Sequence, residues 1–230
     1  MDSSVQIGRE EKICVKTFLV LSTTCLIVAI LFFQQTPMVQ RLLIFGEDYF
    51  RSFSSNPWPF IGFWIFMTLH ALTMGGFLLG VFSVSKKRIF DGWQLFVGLS
   101  GYLFMMLTYI SRIYYIKKMA ASYLASDAAT QSIIEAYGIL EFDWFNIAYG
   151  FPALWFLIFG IQHILTKDYL IALFSFVISV SYLVSVYGYL GELRWVLTVT
   201  SGMAFLGFLV WAILMYRHLN LIGLEPAIQV

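Results

Sequence analysis

Charge is what this sequence has least of. Only 12% of its 230 residues are Asp, Glu, Lys or Arg, about half the roughly 25% of a soluble globular chain, while 60% are hydrophobic. Six long stretches are almost empty of charge: residues 13–33, 57–83, 93–110, 144–165, 169–189 and 195–216. Proton pumps, cation antiporters and voltage sensors keep carboxylates, lysines or arginines inside the bilayer as working parts, so their scarcity here excludes most ion-coupled mechanisms. A net charge of +1, with no basic run longer than Lys86-Lys87-Arg88, excludes a nucleic-acid partner. The two cysteines, Cys14 and Cys25, lie about 16 Å apart along one helix, too far for a disulfide. Catalytic signatures are missing as well. There is no Gly-x-Ser-x-Gly turn, no histidine pair at i, i+4 with a glutamate, and no phosphate-cradling glycine loop, so no enzyme, catalytic residue or cofactor is predicted.

What is present predicts an all-α polytopic membrane protein, in which residues 1–230 make a single domain of six transmembrane helices in a lipid bilayer. The first stretch has the length of a spanning helix and no small-residue cleavage site after it, so it is read as a retained helix rather than a removed signal. Six crossings put both termini on one side. With the N-terminus inside, eight basic residues fall on the inner side and six on the outer, which predicts N-in, C-in. The short leader suits a prokaryotic cytoplasmic membrane. Trp58, Trp93, Trp144 and Trp195 stand at helix starts, where interfacial anchors belong.

The outer links are long enough to carry structure, and a short interfacial helix is predicted in each of two. In the first, Thr36 caps and Pro37 occupies the opening position, with Gly46 as the stop. In the second, Ser126 or Asp127 caps a helix ending at Gly138. In the third span, Arg112 is read as the closing residue.

His70 is the one side chain near the middle of a span that titrates around neutral pH. It lies beside Gly76 and Gly80, whose small-xxx-small spacing permits close helix packing. Buried there, a histidine serves as a packing hydrogen bond or as a gate or ligand contact. His163 and His218 sit about 13 and 19 Å nearer the inner face. Three histidines at three depths do not make one site, so no metal is predicted; His163 and His218 can meet only near the inner surface, where solvation is the ordinary state.

Toward the outer face, Tyr102, Tyr109 and Arg112 share a helical stripe, Asp143 and Asn146 share a face at the start of the fourth span, and Ser179 and Tyr182 share one on the fifth. An Arg112–Asp143 pair follows, as a clamp or as the charged lip of a cavity. Pro152 adds a site for a kink. His70, Tyr102, Tyr109, Arg112, Asp143, Asn146, Ser179 and Tyr182 are therefore the candidate cavity residues. The predicted function is non-enzymatic: binding or conducting a small neutral or amphipathic molecule. The alternative is a structural or regulatory subunit in a homo- or hetero-oligomer, and a histidine-centred haem, metal or enzyme site ranks behind both.

Overall fold

A computed structural model describes residues 3–41, 46–84, 89–140, 144–191 and 193–221. Among them the chain forms helices and no strand: α1 (Ser3–Gln35), α2 (Met38–Arg41), α3 (Glu47–Ser55), α4 (Trp58–Val84), α5 (Ile89–Leu124), α6 (Ala128–Leu140), α7 (Trp144–Leu165), α8 (Tyr169–Leu190) and α9 (Arg194–Leu221). Helices α1, α4, α5, α7, α8 and α9 are long and apolar enough to cross a membrane.

The third span runs past its predicted end. The apolar run stops near Ile110, yet α5 continues through Arg112 to Leu124, so Arg112 lies within the helix and does not close it. Residues 111–124 contain no glycine or proline to interrupt the helix, and Ile116, Ala120 and Tyr123 extend the buried stripe of Tyr102, Met105 and Tyr109 at three- and four-residue steps. Its 36 residues span about 54 Å, well beyond a ~30 Å hydrocarbon layer. Gln131 closes it, donating from Nε2 to the carbonyls of Tyr123 (3.1 Å) and Ser126 (3.2 Å).

The links also differ from expectation. Gly46 stands directly before α3, whose Tyr49, Phe50 and Phe53 are buried and which packs on α5. In the same link, Met38 is exposed, and residues 42–45 lie outside the described residues. Asp127 caps α6 as predicted, accepting from the Thr130 amide at 2.9 Å, and this bond holds its carboxyl below the usual range. The helix runs past Gly138 to Leu140, because a glycine inside a helix costs only about 1 kcal/mol and does not by itself end one.

The six long helices pack as a ring in chain order, α1 on α4, α4 on α5, α5 on α7, α7 on α8 and α8 on α9, with a thin α9–α1 seam closing it. Lys16, in the N-terminal half of α1, donates to Asn220 near the end of α9 at 2.6 Å, so these two parts of the chain share one end of the bundle, here the terminal end. Polarity is distributed inside out: Ser22, His70, Ser175, Ser179, Ser185, Thr200 and Arg112 are buried, while Leu72, Leu103, Val180, Leu206 and Ile213 face outward. This arrangement suits a hydrocarbon surround, in which hydroxyls must be satisfied within the protein. Trp58, Trp93 and Trp195 are exposed, as anchors should be.

Between α7 and α8 the turn is a Schellman closure. The Asp168 amide donates to the His163 carbonyl (2.8 Å) and the Lys167 amide to that of Ile164 (3.0 Å). Lys167 holds the left-handed position at φ 66°, where glycine is usual. Lys167→Gly is expected to stabilise the protein by about 0.5–1 kcal/mol, which thermal unfolding of the purified protein measures. A fall in stability would instead assign the lysine side chain a contact of its own.

Candidate functional site

A cavity of about 130 Å³ lies at the end of the bundle away from the termini. Phe33 and Thr36 reach it from α1 and its end, Gln40 and Arg41 from α2, Phe60, Phe63 and Trp64 from α4, and Arg112 from α5. Phe145 and Tyr149 of α7 and Leu197, Thr198, Ser201, Gly202 and Phe205 of α9 complete it. The walls are aromatic and the polar groups are few, the usual make-up of a small-molecule site.

Arg112 is there because its helical phase leaves no alternative. It occupies the same stripe as Tyr109 and Ile116, so the guanidinium faces the bundle and is only 4% exposed. Its Cζ lies 4.3 Å from the centroid of the Trp64 ring and 5.8 Å from that of Phe145, two cation–π contacts. The predicted partner Asp143 lies outside the described residues. Burial pushes the Tyr49 hydroxyl of α3 well above its ordinary value, with the Arg112 charge opposing that shift.

The α7 wall is an aromatic stack. Phe145 lies against Tyr149 (centroids 4.1 Å apart) and Tyr189 (4.7 Å), while the hydroxyls of Tyr149 and Tyr109 are 2.9 Å apart and tie α7 to α5. Arg41, exposed at the rim, donates to the carbonyls of Gln34 and Thr36 and so caps the end of α1.

Two lining groups have unspent hydrogen-bonding capacity. Gln40 is 2% exposed; its Nε2 donates to Ser52 Oγ at 3.2 Å, but its Oε1 is buried with no hydrogen-bond partner among the described residues. The buried indole Nε1 of Trp64 likewise has none. One orphan acceptor and one orphan donor thus belong to residues that line the same cavity, each costing about 1–3 kcal/mol if left dry.

The candidate residues from the sequence divide between this site and the packed core. Arg112 lines the cavity, and Tyr109 supports it through Tyr149. Tyr182 stands edge-on to Tyr149 (5.4 Å), one layer back. Asn146 is on the first turn of α7, with Oδ1 buried and without a hydrogen-bond partner among the described residues. His70 is elsewhere: its Nδ1 lies 2.8 Å from Ser22 Oγ and 3.1 Å from the Ser22 carbonyl, joining α4 to α1. Tyr102 is its edge-on neighbour at 6.3 Å. Ser179 donates across to the Ala153 carbonyl of α7 at 2.8 Å. Gly76 and Gly80 meet Phe18 and Val15 of α1. Gln40 and Trp64 are among the lining residues that sequence patterns miss, because α2 and α4 must come together with α5 and α9 before their shared direction exists. The tendency of Thr198, Ser201 and Gly202 toward small and hydroxylated side chains is the one signal in the sequence.

No protein-family model, curated protein or solved structure matches this chain. Its function is therefore argued from the site alone.

Proposed function

We propose that this chain is an integral membrane protein that binds a small neutral or amphipathic molecule in the cavity beside Arg112 and Trp64. The observation that carries the proposal is that Trp64, with an unspent donor at Nε1, and Gln40, with an unspent acceptor at Oε1, both line one aromatic-walled cavity. A hydroxyl both accepts and donates, so a ring or short chain bearing one satisfies both groups while its apolar part meets Phe60, Phe63 and Phe205. The volume suits that size, since a cavity of about 150 Å³ accommodates benzene.

Binding is favoured over conduction. Among the described residues, Phe77, Phe156, Phe208 and Trp211 are all essentially inaccessible and fill the interior toward the terminal end, which supports binding over passage. Gly76 and Gly80, the small-residue pair against which a partner helix would pack, are occupied by α1 of the same chain.

Gly202 supplies the test. Gly202 lines the cavity and a Cβ built there meets nothing within 4 Å, so a side chain there has open space to grow into. Phenol, a probe with one ring and one hydroxyl, is expected to quench tryptophan fluorescence saturably in the detergent-solubilised protein. Gly202→Leu should weaken that binding by at least tenfold while leaving the unfolding temperature unchanged or higher. Equal phenol binding by the two proteins would remove the cavity from the argument.

A further inference from the structure

At the terminal end, far from the cavity, three metal-ligating side chains converge from two of the ring's helices and the turn between α7 and α8. His163 is in the last turn of α7, Asp168 follows that helix, and His218 is in the last turn of α9. Asp168 addresses both rings, one oxygen each: Oδ2 is 3.4 Å from His163 Nδ1 and Oδ1 is 3.7 Å from His218 Nδ1. The imidazole centroids are 5.4 Å apart, and one donor atom from each residue falls within 4.8 Å of the others.

We propose that His163, Asp168 and His218 form a binding site for a divalent first-row transition-metal ion of the zinc class. Bonds of about 2.0–2.2 Å at tetrahedral or octahedral angles put neighbouring donors about 3.0–3.5 Å apart. The two carboxylate–imidazole distances are already there or within a few tenths of an ångström. The donor atoms close in by little more than 1 Å, which side-chain rotation at two helix ends provides. Two imidazoles and a carboxylate leave coordination positions for water or an exogenous ligand, and this donor set is selective for zinc, iron and their neighbours over magnesium or calcium.

Two further features fit a ligand set. In a Schellman closure the residue three positions inside the helix end meets the second residue beyond it, and that contact is ordinarily apolar. Here those positions hold His163 and Asp168, with Lys167 kept in the left-handed conformation between them. Thr166 Oγ1 then donates to Asp168 Oδ2 at 3.0 Å, an outer-shell bond of the kind that orients a ligating carboxylate. The side chains are 12%, 32% and 23% exposed for His163, Asp168 and His218, enough for an ion to enter from solution. Residue count puts His163 and His218 at different depths, yet in the structure their rings meet. The hydrogen-bonded apo arrangement is the competing account, and it calls for no metal uptake.

The test uses the full chain in detergent, purified on a tag without histidine and stripped with a chelator. Titration with Co²⁺, followed by its visible ligand-field bands, and with Zn²⁺, followed by calorimetry, is expected to show one ion per chain. A hundredfold excess of Zn²⁺ over Kd should raise the unfolding temperature by about 5–10 °C. His218→Gln or His163→Gln should weaken uptake by at least a hundredfold, and Thr166→Val, which leaves all three ligands in place, by about tenfold. With Cu²⁺ in the unmodified protein, pulsed electron paramagnetic resonance should register two coordinated imidazoles. Absence of stoichiometric uptake, fewer than two imidazoles, or a His163→Gln/His218→Gln protein that binds as the parent does each overturns the site.

Discussion

Trp211→Ala is expected to destabilise the protein by about 3 kcal/mol, as measured by unfolding of the purified protein in mixed micelles. Trp211 is wholly buried and joins four helices. Its ring lies 5.7 Å from Phe77 of α4, 5.2 Å from Phe156 and 5.7 Å from Phe159 of α7, while Nε1 donates to Ser175 Oγ of α8 at 3.0 Å. In a bilayer the unfolded reference keeps the side chain in hydrocarbon, so much of the water-transfer contribution drops out. What remains is the cavity and its lost dispersion contacts, which places the cost toward the low end of the 3–5 kcal/mol seen for large-to-small core changes. Trp211→Phe, which retains most of the volume and loses only the indole hydrogen bond, should cost about 1–1.5 kcal/mol. If both variants unfold together with the parent, the four-helix junction is not where the bundle holds.

Gly101→Val should be at least as damaging, for the opposite reason. A Cβ at Gly101 would stand 2.4 Å from Pro152 Cδ and 2.9 Å from its nitrogen, inside contact distance of a rigid ring and a main-chain atom. The neighbour cannot rotate away, as the end of a leucine would, so α5 and α7 must separate. Overpacking of this kind costs typically 1–3 kcal/mol, and with backbone on one side about 3 kcal/mol or more is expected. Separation also moves Tyr109 from Tyr149 and the α7 wall from Arg112, so the variant should lose phenol binding along with stability. Gly202→Ala is the matched control: with open space around the new methyl it should be neutral or stabilising by up to about 1 kcal/mol. Comparable losses from both substitutions would point to helix propensity rather than to the Gly101–Pro152 contact.

Some of this was legible in the chain. Long runs without charge identify the spanning helices, since length and hydropathy are local properties, and the Tyr102–Tyr109–Arg112 stripe turns Arg112 inward by phase alone. The third span defeated the same approach because polarity changes at residue 111 while helix propensity does not. A helix leaving the hydrocarbon continues wherever buried contacts such as Ile116, Ala120 and Tyr123 keep rewarding it. Ser179 and Tyr182 shared a face by spacing, but the Ser179 hydroxyl is taken up by the Ala153 carbonyl of α7, a choice set by which neighbour lies opposite. Gly76 and Gly80 announced a close contact without its partner, and α1 answers with Phe18 and Val15.

By itself, then, the sequence determined six apolar helices, the depth of each polar group along them, and the inward phase of Arg112, because all three follow from rise and periodicity within one helix. Only the tertiary structure decided which groups meet: Gln40, Trp64 and Arg112 lining a cavity at one end, and His163, Asp168 and His218 close together at the other. Depth is a coordinate along one helix, whereas a site also needs azimuth and neighbour, and these are set by how α1, α4, α5, α7, α8 and α9 close into a ring.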